Sequence, residues 1–401
     1  MRLAARAQRI EPFHVMEVAK AARALEARLS PADAPMIYLN IGEPDFTAPP
    51  RVRAAAEAAI RAGHTQYTQA TGIAPLRERI AAWYAQRFGV VIDAQRIVVT
   101  AGASAALQLA CLALIEAGDE ILMPDPGYPC NRQFVSAAEG TPVLLPTDAA
   151  QRFQLGAQQV RDAWGPRTRG VLLASPSNPT GTSIARDDLR AIVDTVRAHD
   201  GITLVDEIYL GLSHDDSPEQ RFSQTALSLG EDIISINSFS KYFSMTGWRL
   251  GWLVVPPALV PAIERLAQNL FICPSTVSQL AALACFDDES ITEYEARRAE
   301  YRARRDAFIP LLEAAGLRVP VRPDGAFYVW ADCSAWFDRL GVHDSWDFAF
   351  EIMRRAHIAI TPGRDFGSHD TARHVRFSTA SSRALLEQAA ARLARLWLER
   401  A

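Results

Sequence analysis

An α/β fold, with a large domain built on a mostly parallel central sheet covered by helices and a smaller α+β domain beside it, is predicted by three features of the sequence. Short apolar runs recur and end in Gly, Ser, Asp or Asn turns. Amphipathic segments separate them, and after about residue 285 the pattern changes to long helices with few strands. The runs are IVVT (97–100), EILMP (120–124), GVLLAS (170–175), ITLVD (202–206), IISIN (233–237) and GWLVV (251–255). Strands that are apolar throughout, rather than alternating, belong to sheets buried on both faces. RDDLRAIVDTVRAHD (186–200) carries the helical period between two of them. Beyond 285, GAFYVWADCS and HVRFSTA are the strand candidates, and a last helix starts from Ser382. The predicted division is a large domain over 46–285, with an N-terminal arm and small domain formed by 1–45 and 286–401. The first forty-odd residues are expected to pack on the small domain or reach a partner subunit.

Composition narrows the function classes. At 401 residues and 49% hydrophobic content, the chain can bury a large core in two lobes. A net charge of −4 and scattered aromatics give no electrostatic case for nucleic acid or an anionic membrane. The Arg-rich run from Glu293 to Asp306 places Glu293 with Arg297, Glu300 with Arg304 and Arg302 with Asp306 at i,i+4 spacing, as in a solvated helix. Five cysteines, with no C-x-x-C, fit a reducing compartment and supply neither a disulfide framework nor a metal site. The N-terminus lacks an apolar signal core. Ile97 to Ile115 has no charge, but its Thr100, Gly102, Ser104 and Gln108 read as a strand, a turn and a buried helix rather than a membrane span. A soluble cytoplasmic protein is expected.

The chemistry begins with a scarcity. Of 42 basic residues only Lys20 and Lys241 are lysine; the other 40 are arginine. Arginine keeps its proton in a protein, whereas a shielded lysine can lose it and become a nucleophile. Lys241 stands in SINSFSKYFSMTGWRLGW, among serines and eight residues before Arg249. Ligands of open parallel sheets bind beyond the carboxyl ends of the strands. The segments there are AGAS, PDPGYP, SPSNPTG, DEIY and SFSK, so one crevice collects a Gly turn, Tyr128, Asn178, Asp206, Tyr209, two serines and the lysine. AGAS opens a helical pattern, which puts the N–H groups of Gly102, Ala103 and Ser104 at a helix N-terminus suited to phosphate. Small residues at such a turn are more often a steric necessity. Ser238, Ser240 and Arg249 add hydroxyls and a fixed charge, completing a cup for a dianion. Asp206 either caps the helical stretch EIYLGL or pairs with a protonated heteroaromatic nitrogen. Tyr209 offers a phenol to the same ligand and Asn178 an amide, although Asn-Pro-Thr-Gly is also an ordinary turn.

SFSKYFSMTGWRLG (238–251) resembles, position for position, the pyridoxal-phosphate attachment pattern of the class I/II aminotransferases. NIGEPDF, YTQATGIAPLR, TAGASAAL, DPGYP, SPSNPTGT, VDEIY and VRFSTA resemble that family's landmarks in the family's order, over essentially the whole chain. The resemblance implies the fold type I architecture and a homodimer with shared active sites at the subunit interface. It implies that Lys241 forms a Schiff base with pyridoxal phosphate and shuttles a proton between the substrate Cα and C4′. Asp206 would pair with the pyridinium nitrogen, Tyr209 and Asn178 would meet the ring's phenolic oxygen, and Tyr128 would stack on the ring. The phosphate would fall to Ala103, Ser104, Ser238 and Arg249, with Tyr67 reaching it from the neighbouring subunit; Gly102 and Ser240, read from the residues themselves, are counted with the cofactor site. Arg376 would clamp the substrate α-carboxylate, aided by Asn178 and the backbone of Gly42. The physics agrees: a carboxylate stabilises the pyridinium that makes the cofactor an electron sink, a freed amine can act as base at two carbons, and a planar guanidinium matches a carboxylate.

Substrate is less firmly written. Some aspartate-using members of the family carry lysine at the position of Ser104, and this chain does not. EPFHVMEVA (Glu11 to Ala19), where members often line the side-chain pocket, is apolar. The expectation is a neutral or aromatic L-amino acid as donor and a 2-oxo acid such as 2-oxoglutarate as acceptor. A pyridoxal-phosphate-dependent carbon–sulfur β-lyase on the same fold is the alternative, since both reactions start at the same carbanion. A non-enzymatic regulator module is disfavoured, because about forty residues precede NIGEPDF, too few for a folded DNA-binding domain.

Overall fold

The computed structural model of the chain describes residues 2–12, 14–217 and 221–399. Its strands are β1 (Ile37–Tyr38), β2 (Ile97–Thr100), β3 (Glu120–Asp125), β4 (Thr141–Pro146), β5 (Thr168–Ala174) and β6 (Ile202–Asp206), followed by β7 (Ile234–Ser238), β8 (Gly251–Val254), β9 (Tyr328–Asp332), β10 (Ile358–Ala359), β11 (Thr361–Pro362) and β12 (His374–Ser378). Seven of them form one sheet in the order β2-β8-β7-β6-β5-β3-β4. β8 runs antiparallel to both of its neighbours, and the strands from β7 to β4 are parallel. Each predicted run lies on one of these strands.

β4, TPVLLP, was not among the predicted strands. Its two prolines lack ladder donors, which suits an edge position and hides it from an apolar-run search.

The runs are continuously apolar because successive residues enter different cores. Leu172 and Leu204 pack with the helices Ala103–Leu114 and Val260–Leu270. Val171, Leu173 and Val205 pack on the opposite face with Leu189, Ile192 and Val196 of helix Arg186–Arg197. Burial of such side chains contributes roughly 1.5–3 kcal/mol each.

The C-terminal elements form a three-stranded antiparallel sheet, β11-β12-β9, packed by the helices Asp288–Ala314, Ser345–Ala356 and Arg383–Leu398. Ser382 caps the last of these through its hydroxyl, which accepts from Leu385 N–H. The N-terminal residues join this group. β1 pairs in parallel with β10, and Val18 and Ala22 of helix His14–Glu26 pack on Met353 and Ala359.

On the long helix, Glu293 pairs with Arg297 and Glu300 with Arg304, as the spacing predicts. Arg302 does not take Asp306. It bonds Asp216 from a loop packed alongside, while Asp306 is held by Arg305 and Arg322. Tertiary neighbours outcompete an exposed i,i+4 pair, which is worth only about 0.3–0.5 kcal/mol. All five cysteines are free thiols. Among the described residues, no helix is long and apolar enough to cross a membrane.

Trp252 of β8 is fully buried, with Phe239 5.0 Å and Trp83 6.1 Å away between ring centroids. Trp252→Ala is expected to cost about 3–5 kcal/mol, read as a lowered urea midpoint. A midpoint within error of the parent would show that this cluster is not what holds the sheet to its helices.

Candidate active site

The carboxyl ends of β2, β5, β6 and β7 open on one side of the sheet, where two adjoining cavities lie. The first, about 410 Å³, is lined by Ala103 and Ser104 at the start of helix Ala103–Leu114, by Asp206, by Ser238, Ser240 and Lys241, and by Arg249. First-turn amides have no intrahelical acceptor and carry the positive end of the helix dipole. Gly102 precedes them with φ +81°, a conformation that favours glycine. A Cβ there would stand 2.5 Å from an Arg249 guanidinium nitrogen. The backbone at Gly102 is therefore as close to the guanidinium as a side chain would forbid. Arg249 is itself left-handed, φ 50°, and donates to the Thr246 carbonyl at 3.1 Å.

Lys241 Nζ donates to the Gly42 carbonyl at 2.6 Å, which joins the loop after β7 to the loop after β1. Gly42 must be glycine for a different reason: a Cβ would collide with the Tyr328 hydroxyl. Desolvation lowers the Lys241 amine from its ordinary 10.5 to about 8. Glu43 opposes that shift, while Arg376 and Arg249 reinforce it. About a tenth of it is then the neutral nucleophile at pH 7, and about half at pH 8.

Asp206 and Glu207 are adjacent in sequence and both buried, yet they do different work. Asp206 lines the cavity and accepts only neutral donors, Ile208 N–H at 3.3 Å and Asn131 Nδ2 at 3.4 Å. Burial pushes its carboxyl up to about 6. Residues 210–212 form a single 3₁₀ turn rather than a helix that Asp206 could cap. Glu207 accepts from Ser235 Oγ at 2.6 Å, Thr225 Oγ1 at 2.9 Å and Ala226 N–H at 2.6 Å. Burial raises its carboxyl to about 7.

The second cavity, about 230 Å³, shares Gly42, Tyr128 and Lys241 with the first. Arg376 of β12 stands on one side, 3% exposed. Its Nη1 donates to Asn178 Oδ1 at 2.7 Å, and its Nη2 donates to the Asn40 carbonyl at 2.8 Å and Thr361 Oγ1 at 3.2 Å. The Tyr328 ring lies 4.4 Å and the Phe366 ring 5.0 Å from the guanidinium carbon. Val15, Met16 and Ala19 of helix His14–Glu26 form an apolar wall. Phe13, in the same segment, lies outside the described residues. Tyr209 faces this cavity and its hydroxyl is 2.7 Å from that of Tyr328.

The sequence-predicted residues thus gather at two adjoining cavities, apart from Gly102, which lines neither but stands against Arg249, and Tyr67, which lines neither and is 83% exposed. Several partners were missed. Asn131 supports Asp206, Tyr328 supports Tyr209, and Asn40 and Thr361 hold Arg376. Of these only Asn131 carries a sequence signal, one turn after Tyr128 in the Pro-Cys-Asn opening of a helix. The others come from elements brought near by the tertiary fold.

Such an arrangement suits carbonyl–amine exchange on a phosphorylated aromatic ring, with a carboxylate-bearing substrate in the adjoining space. That is the equipment of a transferase acting on amino groups. The family model for aminotransferases of class I and II matches residues 34–393, and the chain belongs to that pyridoxal-phosphate-dependent family. It is similar to the valine–pyruvate aminotransferase of Mycobacterium tuberculosis, 38% identical over 384 residues covering 96% of each chain. To an aspartate aminotransferase of Rhizobium meliloti it is 33% identical, covering 96% of this chain and 95% of that one. Among solved structures, an aminotransferase from M. tuberculosis superposes with a TM-score of 0.92 at 38% identity, covering 98% of both chains. The aspartate aminotransferase of Thermus thermophilus with maleate gives 0.88 at 32%, covering 99% of this chain and 100% of that one. The architecture is that of fold type I.

In cofactor-free protein the Lys241 amine is expected to pass from protonated to neutral around pH 8. Glu43→Gln removes the carboxylate that favours the charged form, so it should move the midpoint lower. Lysine-selective ¹⁵N NMR is simplified by there being one other lysine, Lys20. A midpoint above pH 10 would contradict a desolvated amine.

Proposed function

We propose that this aminotransferase binds pyridoxal phosphate in the 410 Å³ cavity, attached through Lys241 Nζ, and moves the amino group of a neutral or aromatic L-amino acid to a 2-oxo acid. The donor set fits that cofactor. A fixed guanidinium, two serine hydroxyls and a helix N-terminus suit a phosphate dianion. A buried carboxylate with only neutral donors suits a cationic ring nitrogen, whose charge would bring Asp206 down from its raised value. When bound, the cofactor supplies an electron sink that weakens bonds at the substrate α-carbon.

The protein's own part follows from its geometry. Arg376 offers its guanidinium to the α-carboxylate while neutral acceptors keep its plane fixed, and Asn178 lies beside it. Tyr209 and Asn178 would hold the ring's phenolic oxygen, and Tyr128 would stack on the ring. Lys241, neutral once freed, would take the proton from the substrate α-carbon and return it at C4′ of the cofactor. Tyr67 is exposed and lines neither cavity of its own chain, and in the homodimer proposed here it completes the other copy's phosphate site.

The single observation that carries the donor proposal is the wall of the second cavity. Val15, Met16 and Ala19 share its lining with Arg376, and among the described residues its only other cationic side chain is Lys241. The donor in the name of the 38%-identical relative, valine, supports the same class. For the acceptor we propose a 2-oxo acid such as 2-oxoglutarate, with pyruvate, named for that relative, tested beside it.

Half-reactions followed by visible absorbance are expected to proceed with valine, leucine and phenylalanine. Conversion by dicarboxylic donors alone would sink the proposal. Lys241→Ala should lower kcat by about 10²–10⁴-fold, and a borohydride-fixed adduct should map to residue 241 in the parent only. Sedimentation is expected to find a dimer; a fully active monomer would remove the role given to Tyr67.

A further inference from the structure

Asp365 is 1% exposed and has no part in the chemistry above. It sits in the 3₁₀ turn Gly363–Phe366 that follows β11. Its Oδ1 accepts from the His14 N–H at 2.9 Å, the Val15 N–H adds to the pull on the same carboxylate, and Oδ2 is buried without a hydrogen-bond partner among the described residues. These are first-turn amides of helix His14–Glu26, which have no acceptor within the helix. Burial pushes the Asp365 carboxyl up, and the His14 and Val15 amides pull the other way. A buried carboxylate is costly unless hydrogen-bonded, so its position at a helix end implies a task for that end.

The two sides of the turn point to the task. Asp365 grips the helix whose Val15, Met16 and Ala19 form the wall of the second cavity. Its neighbour Phe366 lies against the guanidinium of Arg376, and the Phe366 carbonyl accepts from Gly127 N–H at 2.8 Å. One dipeptide therefore touches both the residue proposed to clamp the α-carboxylate and the wall proposed to meet the side chain. Met16 is 64% exposed, so its placement follows from how the helix is held; Val15 is buried, and Val18 and Ala22 pack the helix on Met353 and Ala359. The far end of the helix is tied by Tyr38 Oη, which donates to Glu26 at 2.7 Å.

We infer that Asp365 is a specificity-positioning residue: by capping helix His14–Glu26 it fixes the distance between the Val15–Met16–Ala19 wall and Arg376, and that distance selects donors by side-chain length. This rests on the donor proposal above. Without the cap, the first turn of the helix frays and the wall retreats, while Arg376 keeps its own neutral acceptors. Short ligands, which do not reach the wall, lose little. Long ones lose the contact.

The test uses holoenzyme and unreactive aliphatic monocarboxylates, propionate and 4-methylpentanoate, titrated by calorimetry, beside kcat/KM for alanine and leucine. Asp365→Ala is expected to weaken 4-methylpentanoate about fivefold, the scale of a lost cap, and propionate by less than about twofold. Leucine should lose kcat/KM relative to alanine in the same proportion, through KM. Asp365→Asn, which keeps an acceptor oxygen, should restore the parent's discrimination. If Asp365→Ala does not fold, Asp365→Ser, whose hydroxyl is too short to reach His14, should give the same loss of selectivity. Equal weakening at both lengths would place the effect on Arg376 and overturn the inference, as would unchanged selectivity. Parent enzyme that turns over no neutral donor would instead sink the donor proposal.

Discussion

A guanidinium buried without an anionic partner is the constraint around which the second cavity is built. Arg376 is 3% exposed, and no carboxylate among the described residues lies within ion-pairing distance of it. Desolvating a charge is expensive unless its hydrogen bonds are supplied in good geometry. Here those of Nη1 and Nη2 come from the Asn40 carbonyl, Thr361 and Asn178, with the faces of Tyr328 and Phe366 adding their quadrupoles, while Nε has no partner among the described residues. Those residues belong to the loop after β1, the strands β11 and β9, the loop after β5 and the turn at 363–366. Neutral acceptors compensate the charge without cancelling it, so it stays available to an incoming anion. Losing one of them would leave the cation under-solvated in a way no surface arginine could be.

The first cavity solves a complementary problem, that of gathering positive potential without crowding. A single guanidinium, a helix terminus and two hydroxyls share the work, and the absence of a side chain at Gly102 lets the guanidinium come against the backbone. Lys241 adds a second cationic side chain to the same space. Burial is the main cause of its lowered basicity, opposed by Glu43 and reinforced by Arg376 and Arg249. The same electrostatics that would bind an anion thus also keeps the amine ready to lose its proton. The Lys241–Gly42 bond ties this cavity to the N-terminal residues and, through β1, to β10.

Much of this was legible in the sequence for a definite reason. Strands buried on both faces advertise themselves as unbroken apolar runs, and in a parallel sheet the functional side chains must follow them. Asp206, Ser238, Lys241 and Asn178 could therefore be collected by position alone. β4 escaped because edge strands tolerate the prolines that make a segment look like a turn. Arg302 went to Asp216 because helical spacing carries no knowledge of a loop packed alongside. Asn40, Tyr328, Thr361 and Asp365 were invisible for the same reason: each is ordinary in its own segment and meaningful only after distant segments meet. Asn131 lay closer to reach, since it follows the Tyr128 turn by less than one helical turn.

Asp206 and Glu207 carry a consequence of another kind. They are chemically near-identical neighbours at the end of β6, one turned to the cavity and the other to Ser235, Thr225 and the Ala226 amide. Only the two-residue repeat of an extended backbone tells them apart. Gain or loss of a single codon within 202–206 would turn each toward the other's face: a loss would seat the longer acid against the cavity, a gain the shorter one among the hydroxyls. Val205 and Leu204 would trade cores in the same step. A gene for this chain can drift through many substitutions along β6 yet has almost no freedom in its length there, so across the sheet this strand would be among the last places for an insertion to survive.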